Sequence, residues 1–72
     1  MINHLTALEL QSVAGRGGSV EVDGAKYTAL ELQSVAGRLQ PGAYLKVHNS
    51  RSKTALEMQS IAGRKPGQVI FA

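Results

Sequence analysis

Apolar and polar positions follow one pattern that occurs three times along the 72-residue chain. The string Thr-Ala-Leu-Glu-Leu-Gln-Ser-Val-Ala-Gly-Arg occupies residues 6–16 and recurs unchanged at 28–38. A third copy at 54–64 differs at two apolar positions only, where it has Met58 and Ile61. Internal repetition is typical of architectures built from similar structural units. Each copy is therefore predicted to form the same element.

Within one copy the apolar residues follow the 100° step of an α-helix. In the first copy Ala7, Leu10, Val13 and Ala14 fall on one arc, which predicts an amphipathic helix packed on a core. One leucine in every copy falls outside that arc. It is predicted to pack between adjacent helices, with a surface for a partner protein as the alternative. These leucines are Leu8, Leu30 and Leu56.

Each copy also carries signals for the start and the end of a helix. A threonine is followed three residues later by a glutamate, and this spacing predicts a capping box, in which each side chain accepts a hydrogen bond from the other's backbone N–H. The pairs are Thr6 with Glu9, Thr28 with Glu31, and Thr54 with Glu57. A glycine in the left-handed conformation is predicted to close each helix of about two turns. These glycines are Gly15, Gly37 and Gly63.

A short β-branched or alternating segment follows each helix and predicts a strand. The segments are residues 19–22, 44–47 and 69–71. Helix and strand therefore alternate, which favours parallel strands joined by helical crossovers. With the helices on one face, the residues predicted on the open face are Glu21, Lys46 and Ile70.

The dipeptide Asp23-Gly24 supports a competing interpretation. Asp-Gly is a strong signal for a two-residue hairpin turn, and residues 25–28 would then run antiparallel to residues 20–22. The helix-forming string after Thr28, and the caps at both ends of each copy, favour the helical interpretation.

The predicted fold class is α/β. Three short helix–strand repeats form a small parallel sheet with helices on one face, in a solenoid-like arrangement. A chain of this length is expected to form a single domain. The domain covers residues 1–72, with repeats at 6–27, 28–53 and 54–72.

This pattern resembles the leucine-rich-repeat class of α/β solenoids. Residues 45–49 (Leu-Lys-Val-His-Asn) look like the strand-to-turn part of that repeat, and residues 54–62 look like its helical return. The copies begin 22 and 26 residues apart, within the usual range of roughly 20–29. The first strand departs from the pattern because Asp23-Gly24 follows it and no asparagine is present. The resemblance implies a binding scaffold with no particular ligand.

Charge is distributed unevenly along the chain. The formal net charge is +3. Residues 1–24 carry one arginine against three carboxylates, a net −2, whereas residues 25–72 carry seven cations against two glutamates, a net +5. A basic region attracts polyanions, although an arginine near each helix C-terminus also suits the helix dipole.

The alternative functional prediction is therefore a basic nucleic-acid-binding protein that uses the cations of residues 46–53 and 64–65. The loop before the third helix runs from a strand into a helix N-terminus, which is the direction that suits an anion. The predicted anion or nucleic-acid contacts are Arg51, Ser52, Lys53, Arg64 and Lys65.

The sequence offers little support for catalysis. It has no cysteine, two histidines and one aspartate, and no nucleophile lies at a recognisable spacing from a base. His48 is expected in a solvated loop, and capping explains the recurring glutamates. We therefore predict no enzymatic activity, no metal and no cofactor. No apolar run approaches the roughly 18 residues of a membrane span, so no membrane partner and a cytoplasmic location are expected.

The leading functional prediction is a small interaction module that binds another protein or a second copy of itself. The last strand is predicted to lie at the edge of the sheet, and an exposed apolar edge invites pairing with another chain. The predicted contact residues on this edge and on the sheet face are Tyr44, Lys46, Val69, Ile70 and Phe71.

Overall fold

A computed structural model describes all 72 residues and confirms that helix and strand alternate. Residues 24–26 form a turn and residues 25–28 do not form a strand, so the hairpin interpretation of Asp23-Gly24 is wrong. The only element missed by the sequence pattern is a short 3₁₀ turn between the second strand and the third helix. The elements are α1 (Ala7–Gly15), β1 (Val20–Asp23), α2 (Ala29–Arg38), β2 (Leu45–His48), the 3₁₀ turn (Ser50–Ser52), α3 (Ala55–Ala62) and β3 (Val69–Phe71).

All three helices begin with the predicted capping box. In α2 the N–H of Glu31 donates to Thr28 Oγ1 at 3.2 Å, and the N–H of Thr28 donates to Glu31 Oε1 at 2.9 Å. The same reciprocal pair occurs at Thr6 and at Thr54. Each pair satisfies two N–H groups that a helix otherwise leaves without a partner.

The prediction that a left-handed glycine closes each helix is wrong. Gly15 and Gly37 lie inside their helices, and Gly63 follows α3 with a right-handed φ of −65°. After α1 the left-handed glycine is Gly17, whose N–H donates to the Ala14 carbonyl of the last turn at 3.0 Å. After α2 and α3 it comes later, in the turn that leads to the strand. The glycines with positive φ are Gly17, Gly42 and Gly67.

The strands form one parallel sheet in the order β1-β2-β3. Val22 lies opposite Val47, which lies opposite Phe71. Strands that are consecutive in the chain are thus neighbours in the sheet, and all three run parallel, as predicted.

The outer edge of β1 carries a single further bridge. Ile2 pairs with Val22 in the parallel direction. Its N–H donates to the Glu21 carbonyl at 2.6 Å, and its carbonyl accepts from the Asp23 N–H at 2.9 Å. The N-terminal segment thereby occupies the position that a preceding strand would have.

The hydrophobic core lies between the helices and one face of the sheet. Each helix contributes at least one fully buried aliphatic residue, and β1 and β2 contribute alternate residues, as a sheet covered on one face requires. The buried residues of the core are Leu10, Ala14, Val20, Val22, Tyr27, Leu32, Val35, Ala36, Leu39, Ala43, Leu45, Val47 and Ile61.

The helices have 9, 10 and 8 residues. Helices of this length are marginal alone in water, so packing must hold them. None is long and apolar enough to cross a membrane.

Polar side chains also form hydrogen bonds with backbone carbonyls that lie more than 20 residues earlier in the chain. The Tyr27 hydroxyl donates to the Leu5 carbonyl at 2.7 Å, and Lys53 Nζ donates to the Gly24 carbonyl at 2.6 Å. Gln40 Nε2 donates to the carbonyl of Gly15 at 3.1 Å. These bonds satisfy carbonyls that the helices and strands leave free.

Candidate functional site

The open face of the sheet carries the predicted row of Glu21, Lys46 and Ile70. Register places these three residues opposite one another on adjacent strands. Glu21 and Lys46 are partly exposed, and Ile70 is 46% exposed. The row therefore ends in an apolar residue at the edge of the sheet.

Glu21 is the centre of a polar cluster on this face. Its Oε1 lies 2.9 Å from His48 Nε2, and its Oε2 accepts a hydrogen bond from the Tyr44 hydroxyl at 3.4 Å. The hydrogen bond from His48 lowers the pKa of Glu21 most, and the charge of Lys46 lowers it further. The cluster thus holds a carboxylate in its charged form on the β1 side of the open face.

The prediction that His48 lies in a solvated loop is wrong. His48 is the last residue of β2, and its side chain is 27% exposed beside Glu21. The alternation of strand residues, which puts His48 on the same face as Lys46, was the signal in the sequence that indicated this position.

One row further along, Asp23 connects β1 to the loop after β2. Asp23 Oδ1 accepts from Asn49 Nδ2 at 2.9 Å and from the Ala25 N–H at 3.0 Å. The bond from Asn49, and then the bond from Ala25, lower the pKa of Asp23. Asn49 itself adopts a left-handed conformation with φ 55°. The loop is therefore held in place by side chains as well as by backbone.

An open depression of about 630 Å³ lies at the carboxyl ends of the strands. In this region of parallel α/β sheets ligands commonly bind. Its lining contains His48 and the predicted anion-binding cations Arg51 and Lys53, but Glu21 does not reach it. The lining residues are Met1, His48, Asn49, Ser50, Arg51, Lys53, Met58 and Ala72.

Most donors around this depression already have partners. Lys53 Nζ donates to the Gly24 carbonyl and to Ser52 Oγ, the latter at 3.4 Å. The Ser50 hydroxyl donates to the Ala72 carbonyl at 2.9 Å. Among the cationic side chains of the lining, only the exposed guanidinium of Arg51 remains without a hydrogen bond. A bound anion would therefore have one free cationic side chain to contact.

The predicted cations do not form one patch. Arg51 and Lys53 precede α3, whereas Arg64 and Lys65 follow it. An eight-residue helix separates the two groups by about 12 Å. Arg64 also donates to Gln33 Oε1 at 3.3 Å.

Strand β3 has a hydrogen-bonded neighbour on one side only. The N–H of Ala72 donates to the Val47 carbonyl at 2.8 Å. Because backbone groups of successive strand residues point in alternating directions, the N–H and C=O groups of Val69 and Phe71 point away from β2. The side chains of these two residues pack partly buried against the core. The outer edge of β3 is therefore free for hydrogen bonding, and its side chains are apolar.

The prediction that leucines outside the main arc pack between adjacent helices is wrong. Leu8, Leu30 and Leu56 are 73%, 73% and 74% exposed. They point away from the core, where Leu10 and Leu32, two residues later in the first two copies, are completely buried. The result is a stripe of three exposed leucines across the outer helix face.

No family model, curated protein sequence or solved structure matches this chain. The geometry of the open face, the free edge and the helix layer is therefore the basis for the functional argument.

Proposed function

We propose that this protein is a small non-enzymatic repeat module for protein–protein interaction, and that it self-assembles through β3 and the adjacent sheet face. The observation that supports this function is the free edge of β3. There the backbone groups of Val69 and Phe71 have no partner, and Ile70 is 46% exposed beside them.

Pairing of this edge with another strand has a clear physical basis. Added strands gain backbone hydrogen bonds, and pockets for alternate side chains give specificity. A flat apolar edge that stays unpaired is a site of aggregation, which proteins usually suppress with charges or proline. Residues 69–71 contain neither a charge nor a proline.

We further propose a solenoid-like stack of three helix–strand repeats, similar to the leucine-rich-repeat class. The sequential order of parallel strands supports this arrangement. So do the side chains of Gln40 and Lys53, which donate to carbonyls of the preceding repeat. A stack of this kind would present its sheet and its last edge as binding surfaces.

Sedimentation velocity over a range of protein concentration tests self-assembly. The wild-type chain is expected to form species larger than a monomer at micromolar concentration. Ile70→Glu should shift it to the monomer, because it puts a carboxylate at the free edge. The new carboxylate lies opposite Lys46, so the folded monomer should tolerate it.

Leu30→Glu is the matched control. It replaces an apolar residue of similar size and greater exposure, 73% against 46%, but lies on the outer helix face. Association that survives Leu30→Glu and is lost in Ile70→Glu supports the proposal. A monomer at every concentration, or loss in Leu30→Glu alone, contradicts it.

Nucleic-acid binding is the alternative function, and the net charge of +5 in residues 25–72 supports it. The unpartnered guanidinium of Arg51 beside the depression is the best single contact for a phosphate. Binding to mixed-sequence DNA or RNA that falls steeply with added salt would favour this function. The division of the cations between the two ends of α3 makes it the weaker candidate.

A further inference from the structure

The helices pack through one contact that occurs twice. The guanidinium of Arg38 in α2 lies over Gly15 of α1, where a β-carbon would be 3.2 Å from Arg38 Nε. The guanidinium of Arg64, just after α3, lies over Gly37 of α2 in the same way, at 3.6 Å from a β-carbon. An arginine at or just beyond the end of α2 and of α3 therefore covers the glycine of the helix before it.

A valine or isoleucine lies three residues before each arginine. Val35 and Ile61 are completely buried, whereas Val13, at the same position of α1, is 40% exposed. The three residues share one helical position and differ in whether a preceding helix covers them. Val13 and Arg16 thus have the residue types of a helix–helix contact, but no helix lies beside them on that side of α1.

The other half of that contact lies exposed on α3. Ala14 and Ala36, in the two helices that have a following helix, are completely buried, but Ala62 at the same position of α3 is only partly buried. No side chain from another helix approaches Gly63. The far side of α3 therefore matches the side of α1 that carries Val13 and Arg16.

The two edges of the sheet, the N-terminal segment and β3, are also complementary in their backbone hydrogen-bonding groups. Ile2 and Phe71 lie in one register row through Val22 and Val47. The backbone groups of Ile2 face β1, so those of Met1 and Asn3 face outward. In a parallel pair of strands, a residue whose N–H and C=O both point toward the neighbouring strand forms hydrogen bonds with two residues there. These are the residues on either side of the one directly opposite it.

Phe71 can therefore pair with Met1 and Asn3 of a second molecule and continue the sheet without changing direction. On the open face this pairing also brings together two exposed apolar side chains, those of Met1 at 65% and Ile70 at 46% exposure.

Charge favours the same orientation. Residues 1–24 carry a net −2, and residues 49–72 carry four cations against one glutamate, a net +3. Stacking the first segment of one molecule on the last segment of another brings together segments of opposite net charge, whereas two C-terminal segments, both of net positive charge, would repel each other.

We propose that the partner of the β3 edge is the N-terminal face of a second copy, so that the chain assembles head to tail. The N-terminal face is defined by Met1, Ile2, Val13 and Arg16, and the C-terminal face by Ala62, Gly63, Ile70 and Phe71. This proposal rests on the self-association proposed above and names its partner surface. The contact is heterologous, so each added copy leaves another free C-terminal face. The exposed leucines of α1, α2 and α3 would then continue as one stripe along the assembly.

Two variants of the full chain, each blocking one face, test this orientation. Val13→Lys puts a cation on the N-terminal face, and Ala62→Lys puts one on the C-terminal face. Both positions are partly exposed at the outer sides of the helix layer, and lysine is a good helix former. Circular dichroism and thermal melting check that both variants remain folded.

Wild-type protein should sediment as a series of species that lengthens with concentration. Each variant alone should need about tenfold or more protein to associate, since a buried unpaired charge is strongly unfavourable. An equimolar mixture should form a 1:1 dimer and stop, because the intact C-terminal face of Val13→Lys can bind the intact N-terminal face of Ala62→Lys.

The outcomes separate this proposal from the more general one. If the wild type is monomeric at all concentrations, both proposals fail. If Val13→Lys associates like wild type while Ile70→Glu does not, the β3 edge is an interface but the head-to-tail orientation is wrong. A discrete wild-type dimer with no larger species would also overturn the head-to-tail orientation.

Discussion

Arg38 lies directly against Gly15, and a β-carbon at Gly15 would be 3.2 Å from both Nε and Nη2 of Arg38. The sequence predicts that this glycine closes α1 in the left-handed conformation, whereas in the structure it is the last residue of the helix and lies under a side chain from α2. The atoms it would meet belong to the flexible end of an arginine, which can shift. Gly15→Ala is therefore expected to change the free energy of unfolding by less than about 1 kcal/mol, since alanine also favours the helix.

Gly24 provides the matched comparison. A β-carbon there would lie 2.7 Å from the His48 carbonyl oxygen and 2.7 Å from Val47 Cγ1. Backbone of a central strand cannot move as an arginine can, so Gly24→Ala should lower the free energy of unfolding by roughly 1–3 kcal/mol. Urea denaturation of the two variants measures the difference. Equal effects would mean that the close approach at Gly24 does not constrain the fold.

The capping boxes predict a specific loss when one threonine is removed. The hydroxyl of Thr28 accepts from the Glu31 N–H at 3.2 Å. Thr28→Ala should reduce the free energy of unfolding by about 1 kcal/mol, because that N–H loses its partner. Thr28→Ser keeps the oxygen and is the control. Equal stability of the alanine and serine variants would count against a capping role.

The cluster at Glu21 predicts how stability depends on acid. The hydrogen bond from His48 keeps the pKa of Glu21 below its ordinary value of 4.5 in the folded chain. At a pH between the folded-state pKa of Glu21 and its ordinary pKa, the unfolded chain binds more protons than the folded chain. The free energy of unfolding therefore rises with pH in that range. This contribution is present above about pH 4.5 and is lost as the pH falls toward the folded-state pKa.

Glu21→Gln should therefore flatten the fall in stability below about pH 4.5, as measured by urea denaturation at a series of pH values. Part of the pH dependence of stability should remain in this variant, because the pKa of Asp23 is also lowered by the bonds from Asn49 and Ala25. An unchanged slope in Glu21→Gln would show that the hydrogen bond to His48 contributes nothing to stability.

Removing the hydroxyl of Tyr27 should lower the stability of the folded chain. It donates to the Leu5 carbonyl at 2.7 Å, and Tyr27 is only 6% exposed. Tyr27→Phe keeps the ring but leaves that carbonyl without this donor, so stability should fall by about 0.5–1.5 kcal/mol. Tyr44→Phe is the control, since Tyr44 is 36% exposed and its hydroxyl bond of 3.4 Å is long. A larger loss in Tyr44→Phe would contradict the assignment.

The sequence alone determined the three helices, the three strands and their order along the chain. The capping signals at Thr6, Thr28 and Thr54 depend on residues three apart, and strand alternation depends on neighbours, so both are local and could be read from the chain. The parallel order of the strands followed from the same alternation of helix and strand. The open-face row of Glu21, Lys46 and Ile70 was also predictable, because register follows from the repeats.

Only the tertiary structure decided which surfaces each repeated residue faces. Val13 and Val35 have the same local sequence, yet one is 40% exposed and the other is buried. The exposure of Leu8, the contact of Arg38 with Gly15, and the pairing of His48 with Glu21 depend likewise on residues more than 20 positions away or on their absence. Local sequence cannot distinguish these cases, because the free energy of each contact belongs to two segments that come together only when the chain folds.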